Sequence, residues 1–268
     1  MSVLQVETKD HIAVVTLNRP EARNALSPEL IVRLARAWDD IQGDDEVRVV
    51  VLTGAAGSTF CAGFDLARSI PLFTGARQPE DEWDAAVAAD GALAGKATLR
   101  DFDLGRPLVV AANGHAIAGG MEMLLAGDLR VVATRAKLGL SEVKLGLIPG
   151  MGGTAKLSRH LPAAVAAEVL LTGDNMTAED AQAVGFVNRV VAAEEVLDTA
   201  MALATTIAGN APLAVRAARE VLRKSTDLTQ AEALALETEG VGRMMLTEDA
   251  VEGPRAFMEK RPPVFKGR

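Results

Sequence analysis

The stretch Leu108-Val109-Val110-Ala111-Ala112-Asn113-Gly114-His115-Ala116-Ile117-Ala118-Gly119-Gly120-Met121-Glu122, running on to Leu129-Arg130-Val131-Val132-Ala133, decides the fold. Leu108–Ala112 is a short apolar run entered through Pro107, as expected of a strand buried on both faces. Asn113-Gly114 breaks it. Gly119–Ala126 then reads as a short helix and Leu129–Ala133 as the next strand. Strand, helix and strand in so short a span predict an α/β fold with parallel pairing.

The same alternation extends in both directions. Leu4–Thr8 and Ile12–Leu17 read as strands, rich in Val and Ile. Ser27-Pro28 starts a helix, with serine as N-cap and proline in the first turn, and Leu30, Ile31, Leu34 and Trp38 lie on one side of it. Val47–Thr53 is a second buried strand, closed by a turn over 54–57. Towards the C-terminus, Thr177 with Asp180 makes a capping-box-like start, Gly185 is a helix stop and Val187–Val191 a short strand. Residues 194–209, 212–224, 228–246 and 247–258 have helical period. The expected layout is an α/β core over 1–193 followed by a helical region over 194–268, with no internal repeat. Residues 70–105, rich in Ala, Gly and Asp, yield no clear elements and are expected to form a mobile wall over a ligand site.

Composition narrows the function. The chain has 268 residues, 49% hydrophobic and 24% charged, which is ordinary for a folded protein. Its formal net charge of −8 argues against nucleic-acid or membrane-surface partners, although a few local Arg or Lys residues suffice for an anionic small ligand. Cys61 is the only cysteine, which excludes an intrachain disulfide, and three scattered histidines make a His/Cys zinc site improbable. Neither an apolar signal-like segment nor a long apolar run is present, so a cytoplasmic protein is expected. There is no tyrosine, which removes any mechanism with a tyrosine acid, base or oxyanion donor.

Three clusters carry chemistry. Thr59-Phe60-Cys61-Ala62-Gly63-Phe64-Asp65-Leu66 follows a buried strand, and its small residues let backbone approach a ligand; the same pattern fits a packed strand–loop corner. In Asn113–Glu122 a helix begins near Gly119, where unpartnered N–H groups can stabilise an oxyanion. Glu122 projects from the face of Gly119 among Met121, Met123, Leu124 and Leu125. A carboxylate there is expensive to bury unless it works, caps its own helix or meets a cation. The third cluster, Leu140-Ser141-Glu142-Val143-Lys144-Leu145-Gly146-Leu147-Ile148-Pro149-Gly150-Met151-Gly152-Gly153-Thr154, is a Gly/Pro loop leading into a helix. Its Glu142 fits either a functional carboxylate or a surface charge beside Lys144. Neither glycine-rich segment matches a nucleotide-binding loop.

In order and wording these clusters resemble the crotonase (enoyl-CoA hydratase) superfamily. The likeness begins at Asn18-Arg19-Pro20 and Arg23-Asn24-Ala25-Leu26, and continues through Leu171-Thr172-Gly173, Ala178-Glu179-Asp180-Ala181 and Gly185-Phe186-Val187-Asn188. Residues 248–268 look most like the carnitinyl-CoA dehydratase branch. The resemblance implies a spiral core of ββα units with a helical C-terminal trimerisation region, assembled as a trimer or dimer of trimers. It implies that the Phe64 and Gly119 N–H groups bind a thioester oxygen and that Glu122 and Glu142 are the paired acid and base. Coenzyme A would be held by Arg23, Ala25, the backbone of Ala62, Asp65 and Leu66, and by Phe257 and Lys260 of a neighbouring subunit; Arg68 is a further candidate for a phosphate. No cofactor is implied beyond the coenzyme A carried by the substrate. Ala118 stands where hydratases often have a third glycine, and Ser141 where a proline commonly precedes the second glutamate.

Two carboxylates fit reversible syn hydration of a 2-enoyl-CoA, in lipid metabolism, or dehydration of a specialised acyl-CoA such as carnitinyl-CoA. A double-bond isomerase can work with one. A non-catalytic, RNA-binding protein of the same fold is disfavoured by the acidic balance and by retention of both glutamates.

Overall fold

The computed structural model describes residues 2–57 and 59–268. Strands β1 (Leu4–Lys9) and β2 (Ile12–Leu17) form an antiparallel hairpin, Lys9 facing Ile12 and Leu4 facing Leu17. Asp10 and His11 turn it with φ of 50° and 65°, the positive values a two-residue turn needs to match strand twist. From β2 onward this sheet is parallel, taking in β3 (Val49–Gly54), β5 (Leu108–Ala112), β7 (Leu129–Ala133) and β10 (Arg189–Val191) in the order β1-β2-β3-β5-β7-β10. A second sheet runs β4 (Thr59–Cys61), β6 (His115–Ile117), β8 (Lys137–Gly139), β9 (Met176–Thr177). Each of β3, β5 and β7 is followed by its successor in the other sheet, and then by helix. This is the expected ββα repeat.

The helices cover the sheets. α1 (Pro28–Gly43) starts where Ser27 Oγ accepts from Leu30 N at 3.3 Å, and buries Trp38, whose Nε1 donates to Ala97 O at 3.0 Å. After β4 come α2 (Ser69–Phe73), α3 (Glu82–Ala89) and α4 (Ala92–Ala97); after β6, α5 (Gly119–Ala126); after β8, α6 (Gly153–His160) and α7 (Ala163–Thr172). α8 (Ala178–Ala183) is capped by Thr177, which accepts from Asp180 N at 3.0 Å as its sequence requires. α9 (Val196–Ala208) turns Val196, Ala200, Ala204 and Ala208, an i,i+4 stripe, onto β3, β5 and β7. α10 (Pro212–Lys224), α11 (Gln230–Met244) and α12 (Glu248–Met258) lie outside this core. They and the α11–α12 connection leave large apolar side chains in solvent, Leu246 of that connection being 89% and Phe257 of α12 85% exposed. An apolar groove of about 620 Å³ runs between α10 and α11.

The segment 70–105 is ordered rather than irregular. Asp84, fully buried, accepts from Arg77 at 2.6 Å, from Arg68 at 3.2 Å and from Glu80 N at 3.1 Å. These ties fix α2 and α3 against α1, where Arg33 and Arg36 lie over the Trp83 ring. Helices of five, eight and six residues are too short to show a helical period, so composition alone hid them. Among the described residues no helix is long and apolar enough to cross a membrane.

Candidate active site

Two backbone segments meet at the mouth of α5. Leu26 bridges Phe64 in parallel fashion: Leu26 N donates to Gly63 O at 2.8 Å and Asp65 N to Leu26 O at 3.1 Å. The Phe64 N–H therefore points away from Leu26, and among the described residues it donates to no protein acceptor. The Gly119 N–H opens α5 and is likewise undonated. The two are close neighbours: a Cβ built on Gly63 (φ 89°) would lie 3.1 Å from Gly119 N and 2.7 Å from Ala118 Cβ. Gly120 permits this approach, since a Cβ there would fall 2.2 Å from Cys61 O. Ala118 has φ 52° and ψ −122°, a conformation glycine takes freely and alanine does not. It is held by its N–H donating to Gly139 O at 2.8 Å and by its carbonyl accepting from Glu122 N at 3.0 Å. The far end of α5 is anchored by buried Arg130, which donates to Leu124 O at 2.7 Å and Gly127 O at 2.8 Å.

Glu122 is only 3% exposed, and it does not cap its own helix. Its Oε1 accepts from Met151 N at 2.6 Å and Gly153 N at 2.9 Å, the turn that begins α6. Burial raises its pKa, while these two N–H groups and the nearby charges of Arg100 and Lys156 pull the other way. Glu142 opens a short 3₁₀ turn, Glu142–Leu145. It is no partner of Lys144, which pairs with Asp174 at 2.5 Å. Its Oε2 is buried with no hydrogen-bond partner. Burial, with a smaller contribution from the Glu122 charge, pushes its pKa up to about 7. The two carboxyls thus feel each other across one site but sit in different surroundings: one clamped by donors, the other left with an empty oxygen.

The residues read as coenzyme A contacts fall into two groups. Arg23, Ala25, Ala62, Asp65 and Leu66 come together on the lip beside Phe64. Arg23 (φ 54°) is exposed and forms no ion pair among the described residues. Its carbonyl accepts from Ala62 N at 3.1 Å, closing the lip. Leu66 is exposed. Asp65 is already engaged: Oδ2 pairs with Arg19 at 3.2 Å, Oδ1 accepts from Ala67 N and Arg68 N, its N–H donates to Leu26 O and its carbonyl accepts from Ser69 N and Ile70 N, so it shapes the lip rather than offering a free group to a ligand. Arg68 is committed to Asp81 at 2.7 Å and to Asp84, and is not a free cation. Phe257 and Lys260 lie at the end of α12, exposed, and no hydrogen bond or ion pair joins them to the lip within one chain, among the described residues.

Sequence reasoning missed several parts of the site. Arg19 and the fully buried Asn24, whose Oδ1 accepts from Arg19 N at 2.8 Å and whose Nδ2 donates to Thr59 O at 3.1 Å, shape the lip. The Met151 and Gly153 clamp and the Arg100 and Lys156 charges were also missed. The glycines of 150–153 were the available signal, marking free N–H groups at a helix start. Among the described residues no group of three or more His, Cys, Asp or Glu side chains is placed to hold a metal.

The enoyl-CoA hydratase/isomerase family profile matches residues 7–268. The chain is 40% identical over 263 residues to enoyl-CoA hydratase EchA19 of Mycobacterium tuberculosis, covering 98% of this chain and 96% of that protein. It is 38% identical to carnitinyl-CoA dehydratase of Proteus mirabilis, over 99% of this chain and 98% of that one. A crystal structure of an enoyl-CoA hydratase from M. tuberculosis superposes with a TM-score of 0.87 at 36% identity, covering 100% of both chains. The profile match, these identities and this superposition show that the chain belongs to the enoyl-CoA hydratase/isomerase family of the crotonase superfamily.

Proposed function

We propose that the protein is a hydro-lyase that reversibly adds water, syn, to the double bond of a 2-enoyl-CoA thioester. The observation that carries this reading is the unequal pair Glu122 and Glu142 beside two undonated N–H groups. The Phe64 and Gly119 N–H groups receive the thioester oxygen, where negative charge grows as water adds to Cβ. Glu122, held as a carboxylate by two N–H groups, takes the proton from water. Glu142, whose pKa is raised to about 7 so that a large share of it carries a proton near neutral pH, delivers that proton to Cα. Dehydration runs the same steps backwards with the roles exchanged, as a specialised dehydratase of the carnitinyl-CoA kind requires. Isomerisation of a double bond needs one carboxyl only and leaves the second buried glutamate without a task.

Coenzyme A lies along the Arg23–Leu66 lip, with Arg23 meeting a phosphate. Phe257 and Lys260 reach it from a neighbouring subunit, in a trimer or a dimer of trimers. The exposed apolar faces of α10–α12 support that assembly, because they have nothing to cover them within one chain. No cofactor other than the coenzyme A of the substrate takes part. Hydration of a panel of enoyl-CoA thioesters, crotonobetainyl-CoA included, with a β,γ-enoyl-CoA as comparison, tests the reading. Double-bond migration without water addition would replace it by the isomerase.

A further inference from the structure

We propose that Lys156 is a positioning residue for the catalytic base: it staples the turn that holds Glu122 and sets a positive charge beside that carboxylate. This rests on Glu122 being the base. The side chain folds back over the first turn of α6. A Cβ built on Gly152 would lie 3.2 Å from Lys156 Cδ, 3.3 Å from Cε and 3.6 Å from Nζ. Nζ donates to Arg100 O, tying the start of α6 to the segment after α4. The residues so covered, Met151 to Gly153, are those whose N–H groups bind Glu122 Oε1.

Lys156 is half-buried, yet no carboxylate lies within ion-pair distance of it among the described residues. An ammonium partly removed from water without an ion-pair partner is costly, and the anionic charges near it are those of Asp101 and Glu122. The groups that face Glu122 are few. Arg100, from the α4 side, and Lys156, from α6, are cations, and Glu142 is the opposing carboxyl. Lys156 in turn feels Arg223, Asp101 and Arg100. Burial alone would keep both glutamates protonated. A cation placed on the Glu122 side only breaks that symmetry and leaves the ionised partner on the clamp.

The test uses the full-length enzyme with K156M, K156Q and K156R. Activity is lost on the acidic side as the base protonates, so removing a cation must move that limb to higher pH. For K156M we expect kcat to fall roughly tenfold with KM within about twofold, and the acidic limb of kcat/KM to rise by about half a unit to one unit. K156Q, which keeps a donor for Arg100 O, should move the limb with a smaller loss of kcat, and K156R should restore the limb. Isotope-edited infrared titration of the Glu122 carboxylate supplies a readout independent of turnover, and should show the same upward shift. An unmoved limb and carboxylate titration in folded K156M, or in K156Q should K156M fail to fold, overturns the proposal. A wild-type enzyme that hydrates no enoyl-CoA would instead sink the hydratase reading, and the infrared titration would still decide the role of Lys156.

Discussion

Replacing Gly153 by alanine strikes the base without touching its chemistry. The added methyl would lie 2.7 Å from Pro149 Cβ, 3.0 Å from Glu122 Oε1 and 3.0 Å from Leu140 Cδ1. The first of these is closer than real carbon contacts come, so the start of α6 or the carboxylate must move. Overpacking of this kind costs about 1–3 kcal/mol. The Gly153 N–H bond to Glu122, 2.9 Å long, is the contact that yields, and a hydrogen bond to a charged group contributes about 1.5–3 kcal/mol. A base displaced by a fraction of an ångström and short of one donor should lower kcat roughly 10–100-fold, with KM little changed because the coenzyme A lip is elsewhere. Steady-state hydration kinetics at saturating enoyl-CoA, with thermal unfolding as a control, measure both. The control should show a loss of a few degrees. A folded G153A enzyme with kcat within twofold of wild type would refute the clamp as the device that orients Glu122.

Further outcomes follow from the same geometry. Glu122→Gln and Glu142→Gln should each lower kcat by roughly 10²–10⁴ with acyl-CoA binding nearly intact, and the double variant should lose far less than the product, measured by single-turnover hydration and by titration of a product analogue. Arg23→Ala and Lys260→Ala should raise KM for acyl-CoA with little change in kcat, because a phosphate contact is the same in ground and transition states; unchanged KM in both removes them from the site. Burial holds the Cys61 thiol up at about 12, so native enzyme at pH 8 should resist iodoacetamide on a timescale at which the unfolded chain reacts fully, and Cys61→Ala should remain active. The Glu142 pKa is raised in the fold from an ordinary 4.5 to about 7, so its contribution to stability is complete below pH 4.5 and lost as pH rises through 7. Glu142→Gln should therefore gain melting temperature relative to wild type at pH 8 but not at pH 4.5.

What the sequence made legible depended on how far each signal reached along the chain. Ile12–Leu17, Leu108–Ala112, Gly119–Ala126 and Leu129–Ala133 have the bounds read from their apolar runs, the first three ended by an Asn or Gly. Val47–Thr53 shifted to Val49–Gly54 because Val47 N donates to Asp44 O in the preceding turn. Val187 likewise turns back to Ala181 O, leaving Arg189–Val191 as the strand. The second sheet was not legible, since strands of two or three residues carry no period. His115–Ile117, between the turn at Gly114 and the helix that begins near Gly119, is one of them. Glu122 stood out as a carboxylate among Met and Leu, and Glu142 could be named only through the family resemblance. Their surroundings could not, because the donors that hold Glu122 are backbone groups of Met151 and Gly153, and no side-chain type announces an N–H aimed at a distant residue.

That division bears on how one site keeps an acid and a base of the same chemical type. Two glutamates in a shared apolar setting would both be driven to the neutral form, and whichever ionised first would hold the other protonated. Here the backbone breaks the tie. Glu122 rises from a helix whose start is fixed by Ala118, at positive φ, and whose end is fixed by Arg130. It meets a second helix start end-on, so the α6 N–H groups satisfy its charge. Glu142 lies in a 3₁₀ turn that supplies no second donor, and its Oε2 faces the site with nothing to bind but substrate or water. In the proposed mechanism the proton is on Glu142 before water adds, and on Glu122 afterwards, when the new hydroxyl occupies the place of the water it consumed. A variant that gives Glu142 Oε2 a donor should deprotonate Glu142 at lower pH. Such a variant is a single substitution that places a hydroxyl within hydrogen-bond distance of Glu142 Oε2 and leaves both carboxyls in place. Its hydration rate should fall at neutral pH and recover as pH is lowered, the reverse of what losing the Glu122 clamp produces. A rate that instead falls further on acidification would show that the carboxyl left without a partner is not the proton donor.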